Sequence, residues 1–186
     1  MKRAAVLVWI LTMLTGCTSK NTELERGMAL RSMLLSAETV SFDAEVLADY
    51  GDKLHTFSLA CQADSLGNLI FTVTAPETIS GITGSVSQEG GELTFDDTAL
   101  HFDLMADEAL SPISAPWILM KTLRSGFLRS ACTEENQIRL TIDDSYEDDA
   151  LQLDIWLDGS DLPSRAEILH EDRKILSLSI SNFQIG

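Results

Sequence analysis

From Val40 to the C-terminus, apolar and polar residues alternate with a period of two, in short runs separated by tight turns. Such alternation is typical of β-strands with one buried face. The turns at 50–52 and 90–91 are too short for parallel crossovers, which need a dozen or more residues, so the strands are antiparallel. The pattern predicts about ten or eleven strands. A sheet of that size must curl or close, because both its edges and its apolar face have to be shielded.

Two segments carry helical signals instead. The first opens with the capping-box pattern Thr22-x-x-Glu25 and runs to Leu35. The second runs from Trp117 to Arg124, after Pro116, where a helix tolerates proline, and before Gly126, where helices stop. The fold class is therefore mainly β with two or three helices.

The N-terminus has the layout of an exported precursor. Lys2 and Arg3 precede an apolar core, residues 4–14, which is too short to cross a bilayer, and the run ends at Leu14-Thr15-Gly16-Cys17. These four residues resemble the lipobox of bacterial lipoproteins. The resemblance implies cleavage between Gly16 and Cys17 and a diacylglyceryl group on the Cys17 thiol, with palmitate-type chains anchoring the protein in a membrane. The expected division is a signal peptide (1–16), a lipidated tether (17–22) and one domain (23–186).

Charge restricts the partners. The chain carries a formal charge of -16, and removal of Lys2 and Arg3 takes it to -18. A surface this acidic argues against nucleic acid and against anionic lipid surfaces as partners. The expected location is the extracytoplasmic side of a cell membrane or outer membrane.

Cys61 and Cys132 remain after the lipidated cysteine. In an exported protein such a pair is a candidate disulfide. The alternative is two small buried side chains, since Cys61 is in phase with Phe57, Leu59 and Ala63. There is no Cys-x-x-Cys pair, so no zinc site or other metal centre is predicted.

The order of elements is similar to that of the LolA/LolB lipoprotein carrier and sorting family, including small LolA-like lipoproteins of Gram-positive and spore-forming bacteria. Three stretches carry the resemblance: 41–46, 71–82 and 153–158 continuing through 162–163 to 181–183. It implies a half-open antiparallel barrel around an apolar cavity for acyl chains, with a helix across its mouth. Because Cys17 would anchor this protein, a receptor, sorting or scaffold role fits better than shuttling.

Trp117, Met120 and Leu123 share one helical face and are the candidate lid, or else permanent core. Met28, Met33 and Met105 are candidates for lining the cavity, with plain core packing as the alternative.

Enzymatic chemistry has little support. His55, His101 and His170 lie in separate segments outside any catalytic motif, and no cofactor is expected. Acidic pairs fall mostly in turns and are interpreted as solvated hairpin tips: Asp96-Asp97, Glu134-Glu135, Asp143-Asp144 and Asp148-Asp149.

The leading hypothesis is a lipoprotein that binds acyl chains, a lipoprotein tail or another apolar ligand. The alternative is a scaffold or regulator of a cell-envelope enzyme, for example of a sporulation or germination type, and an envelope hydrolase is least supported.

Overall fold

The computed structural model describes residues 22–49, 54–96, 98–103, 105–106, 109–147 and 149–186. Two α-helices are present in these residues, α1 (Thr22–Ser36) and α2 (Ala115–Ser125), together with short 3₁₀ turns at Glu77–Ile79 and Pro112–Ser114. The strands are β1 (Thr39–Asp49), β2 (Leu54–Asp64), β3 (Leu69–Ala75), β4 (Thr83–Ser87), β5 (Gly90–Phe95), β6 (Thr98–Phe102), β7 (Met105–Ala106), β8 (Ala109–Leu110), β9 (Phe127–Glu134), β10 (Gln137–Asp143), β11 (Gln152–Leu157), β12 (Pro163–His170) and β13 (Arg173–Ile185).

Eleven strands form one antiparallel sheet in the order β6-β5-β4-β3-β2-β1-β13-β12-β11-β10-β9. The other two, β7 and β8, pair only with each other in the described residues. The first and last strands of the sequence meet at the centre of the sheet, where β1 pairs with β13. The sheet is open, because its two edge strands, β6 and β9, are not paired with each other.

This topology explains the position of α2. The chain leaves the sheet at one edge, β6, and re-enters it at the opposite edge, β9, so the connecting segment has to cross a face of the sheet. That face is the apolar one. The prediction of a mainly β, half-open antiparallel sheet with a helix across its mouth is confirmed, with eleven strands in the sheet.

The inward face follows the alternation read from the sequence. In β1 every second side chain from Val40 to Ala48 is buried, and the intervening ones point to the opposite, outward face. The same alternation places Leu59 and Cys61 inward in β2 and Leu69 and Phe71 inward in β3. Eight of the eleven residues of α2 are buried against this inward face.

The methionines of α1 do not line the interior. Met28 is 48% exposed and Met33 is 42% exposed, so the prediction that they line a cavity or belong to the core is wrong. The helix instead turns Gly27, Leu30 and Leu34 inward. Gly27 permits this contact, because a Cβ there would come within 2.8 Å of the Leu140 side chain. Met105 lies in β7, and its side chain is outside the described part of the structure.

Candidate functional site

Helix α2 packs on the inward face, and its sequence marks where it begins and ends. Pro116 lies in its first turn and Gly126 caps its end, where the Gly126 amide donates to the Thr122 carbonyl at 2.8 Å. The candidate lid residues are all buried: Trp117 is 5% exposed, and Met120 and Leu123 are 2% exposed. Their position across the mouth agrees with the expected helix, and their mobility stays a prediction.

The β2–β3 turn receives the indole of Trp117. The Trp117 Nε1–H donates to the Gly67 carbonyl at 2.8 Å. Gly67 has φ +92°, a backbone conformation that glycine adopts readily. Asp64 organises the turn by accepting hydrogen bonds from the Leu66 and Asn68 amides, each at 2.9 Å. Burial acts to raise the pKa of the Asp64 carboxyl. The hydrogen bonds from the two amides and from the Asn68 side chain outweigh burial, so the pKa lies below its ordinary value.

Two arginines tie α2 to its surroundings through backbone carbonyls. Arg124 donates to the Asp64 carbonyl at 2.6 Å and to the Leu34 carbonyl at 3.2 Å. Arg31, from α1, donates to the Leu123 carbonyl at 2.7 Å. Burial lowers the pKa of both guanidinium groups, an effect that the Asp64 carboxylate opposes at Arg124. Movement of α2 as a lid would break these hydrogen bonds, none of which has a signature in the sequence.

An opening of about 460 Å³ lies between α2 and the β2–β3 and β4–β5 turns. Its apolar part is formed by residues from the inward face, the turns and the helix: Ala63, Leu66, Leu69, Trp117 and Met120. Lys121 and Arg124 contribute two cations, and Glu89 contributes a carboxylate. The volume falls in the range of small-molecule sites. Leu123, the third candidate lid residue, does not line this opening.

The inward face continues past the helix at the β5–β6 end of the sheet. Here Phe95 is 62% exposed and Leu100 is 63% exposed, and Leu93 and Phe102 are half-buried beside them. These four residues are called the β5–β6 strip. Phe71 is paired with Gly84, and Gly84 is paired with Leu93, so the strip lies on the same side of the sheet as buried Phe71 and Val86. The apolar face is therefore covered over most of the sheet and accessible at its β5–β6 end.

A second, larger groove of about 660 Å³ lies against the first five strands and β13. Its exposed or half-exposed lining is mostly hydroxyl, amide and carboxylate side chains of the outward face, among them Gln62, Thr72, Ser85 and Glu92. Asp43 accepts a hydrogen bond from the Asn182 side chain there at 2.7 Å. No lysine or arginine lines this groove in the described residues, whereas Lys121 and Arg124 line the opening beside α2.

The candidate disulfide is absent. Cys61 and Cys132 are both free thiols, with Cys61 buried in β2 and Cys132 exposed in β9. Five strands separate β2 from β9 in the sheet, whereas a disulfide needs Cα atoms within about 7 Å. Cys61 thus follows the alternative interpretation, a small buried side chain, and Cys132 follows neither.

The acidic pair at 143–144 is less solvated than its turn position suggested. The Asp143 side chain is 12% exposed and pairs with Arg129, and the Asp144 side chain is 14% exposed with Lys121 at 3.6 Å. The prediction of a fully solvated hairpin tip is therefore wrong for these two carboxylates. They pack beside the end of α2, where the main chain of β10 meets Gly126.

The histidines lie on three separate strands, His55 on β2, His101 on β6 and His170 on β12. Within the described ranges no three His, Cys, Asp or Glu side chains are placed to hold a metal ion. The helices in those ranges are also too short or too polar to span a bilayer. Gly16 and Cys17 lie outside the described residues.

No protein-family model matches the sequence, and no curated protein is detectably similar to it. Solved structures do resemble it. A LolA superfamily protein from Nitrosomonas europaea is 10% identical over 86% of this chain and 93% of its own, with a TM-score of 0.45. This chain is similar to that protein in fold.

Two other structures show the same resemblance. The Mycobacterium tuberculosis lipoprotein LppX is 13% identical over 87% of this chain and 93% of its own, with a TM-score of 0.41. A chain of the complex between the CwlD amidase and the GerS lipoprotein of Clostridioides difficile is 10% identical over 93% of this chain and 100% of its own, with a TM-score of 0.47. At these identities the likeness concerns the fold alone.

Proposed function

We propose that this protein is a membrane-anchored extracytoplasmic lipoprotein that binds an apolar chain, such as an acyl chain or a lipoprotein tail, on its inward face. The observation that carries the proposal is the opening of about 460 Å³ beside Trp117, whose lining combines an apolar part with charged and polar side chains and which lies at the end of an otherwise filled interior. Pockets of this size and character are where small apolar ligands bind.

The anchor follows from the Leu14-Thr15-Gly16-Cys17 sequence. A thioether-linked diacylglyceryl group on Cys17 would hold the domain at the membrane, since two or more chains make release slow. Cys17→Ala should abolish metabolic labelling with a palmitate analogue. Continued labelling of that variant would refute the assignment.

Ligand binding can be tested at the rim of the opening without disturbing the core. Leu66 lines the opening and is 86% exposed, while Leu54, 66% exposed, lies on the outward face of the adjoining strand β2. We expect Leu66→Asp to weaken binding of a fluorescent fatty acid about tenfold, the equivalent of about 1.4 kcal/mol of lost apolar contact, and Leu54→Asp to leave it unchanged. Native mass spectrometry of the mature chain provides the stoichiometry. Lack of uptake by the unmodified chain would refute the binding function.

A protein-binding scaffold is the second candidate, favoured by the β5–β6 strip. The strip adjoins β6, an edge strand whose only partner in the described residues is β5. A partner could add a strand to this edge and cover Phe95 and Leu100 at once. Cross-linking to an envelope protein that Leu100→Asp abolishes and Leu54→Asp preserves would support this function. Equal cross-linking of both variants would contradict it.

A further inference from the structure

The opening beside α2 is lined by more cations than carboxylates, in an acidic protein. Aspartate and glutamate outnumber lysine and arginine by 29 to 13 in the chain, yet the described lining of the opening holds two cations, Lys121 and Arg124, against one carboxylate, Glu89. The larger outward groove has the opposite balance, with Asp43 and Glu92 and no described lysine or arginine. The lining of this opening therefore has more cations than carboxylates, in contrast to the outward groove, although Asp144 lies beside Lys121 and the Asp64 carboxylate acts on Arg124.

The guanidinium of Arg124 has unused hydrogen-bonding capacity. Its Nε and Nη1 donate to carbonyl oxygens, and its buried Nη2 has no hydrogen-bond partner among the described residues. The Asp64 carboxylate acts on the guanidinium electrostatically. A buried donor without an acceptor is costly, and an anionic oxygen is the acceptor that a guanidinium binds most strongly.

Lys121 is positioned one helical turn before Arg124 and beside the apolar part of the opening. Its ammonium lies 5.6 Å from the centre of the Trp117 ring and 3.6 Å from an Asp144 oxygen, on a side chain that is 38% exposed. At that distance from Asp144 it retains donors for a further acceptor. Two cations and an apolar indole thus line the same opening.

From this arrangement we infer that the opening takes an amphiphile with an anionic headgroup. The inference rests on the proposed function and names the class of ligand. The apolar chain lies against Leu69, Trp117 and Met120, and a carboxylate or phosphate lies between Lys121 and Arg124. A free fatty acid and a phosphate-bearing lipid share this chemistry, and the two are separated by the test.

Trp117 supplies the readout. The mature chain contains only two tryptophans, Trp117 and Trp156, because Trp9 lies in the signal segment. Trp156 is in β11, away from the opening, so Trp156→Phe leaves Trp117 as the sole reporter. The mature chain carrying Cys17→Ser and Trp156→Phe is titrated with three brominated quenchers that share one tail: dibromostearate, dibromo-octadecyl phosphate and dibromo-octadecyl alcohol.

We expect at least one of the two anions to quench Trp117 at about tenfold lower concentration than the alcohol, because a charge-assisted hydrogen bond contributes roughly that factor. Preference for the carboxylate indicates a fatty acid, and preference for the phosphate indicates a phosphate-bearing lipid. Lys121→Gln should remove most of the preference, and Glu89→Gln should increase it. Lys174→Gln, which removes a cation on β13 paired with Glu167, is the matched control and should change nothing.

Different results overturn the headgroup assignment and the binding of an apolar chain. Equal quenching by all three probes, or preference for the alcohol, overturns the headgroup assignment and leaves apolar binding in place. A preference that Lys121→Gln leaves intact, in a variant with an unchanged melting temperature, also overturns it. Failure of all three probes to quench Trp117 overturns the proposed binding function itself.

Discussion

The two cysteines of the domain differ in their exposure to solvent. Cys61 is 4% exposed on the inward face, between Phe42 and Phe71 in the strand register, and Cys132 is exposed on an edge strand. Burial raises the pKa of the Cys61 thiol above its ordinary value, and the Asp43 carboxylate adds to the effect. The thiolate is the reactive form, so Cys61 should be inert in the folded protein.

Thiol labelling of the mature chain with Cys17→Ser should therefore modify one cysteine quickly and the other only on unfolding. We expect a maleimide to add once to the native protein, at Cys132, and twice in denaturant. Mass spectrometry of the intact chain and of its peptides measures both. Equal labelling of Cys61 and Cys132 under native conditions, or protection of both until reduction, would contradict the placement of the two strands.

Among the helices, α2 contributes more to the core than α1. The sequence assigned a single apolar face to the second helix, but the structure buries eight of its eleven residues, because the helix crosses the inward face and also contacts α1. Helix α1 has one side on the sheet and leaves Leu35 62% exposed. The two helices thus provide a buried leucine, Leu119 in α2, and an exposed one, Leu35 in α1.

Leu119→Ala should lower the free energy of unfolding by about 2–5 kcal/mol, since Leu119 is fully buried and its loss leaves a cavity under α2. Leu35→Ala, in the exposed position on α1, should cost less than about 0.5 kcal/mol. Urea unfolding followed by circular dichroism measures both. A small effect at Leu119 would show that α2 is loosely held and would favour a mobile lid.

The whole molecule is constrained by its charge. With 29 acidic and 13 basic side chains, the folded chain concentrates like charges, and compaction raises their repulsion. Ion pairs such as Lys174–Glu167 are partly exposed and offset little of it.

Screening by salt should therefore stabilise the protein. We expect the melting temperature of the mature chain to rise as sodium chloride increases from about 10 mM to about 0.15 M and then to level off, because the Debye length falls from about 30 Å to about 8 Å over that range. Differential scanning calorimetry gives the measurement. A fall over the same range would show that attractive ion pairs outweigh the general repulsion.

Local features of the fold were predictable from the sequence. The period-two alternation of β1 identified every inward side chain from Val40 to Ala48, and Pro116 and Gly126 marked the ends of α2. Alternation, capping and turn residues act within a few positions of the chain, so they can be recognised without knowing where distant segments lie. The exposed methionines of α1 could not be predicted in this way, because the side of a helix that faces inward depends on the distant segments against which it packs.

By itself, then, the sequence determined which residues form strands and helices, which strand face is apolar and how acidic the surface is. Only the tertiary structure decided that α2 packs on the inward face, that five strands separate Cys61 from Cys132, and that Arg124 donates to the Asp64 carbonyl beside an opening lined by Trp117. The physical reason is separation along the chain. These contacts join residues roughly 50 to 90 positions apart through backbone carbonyls that every residue carries, and such contacts leave no pattern in the sequence.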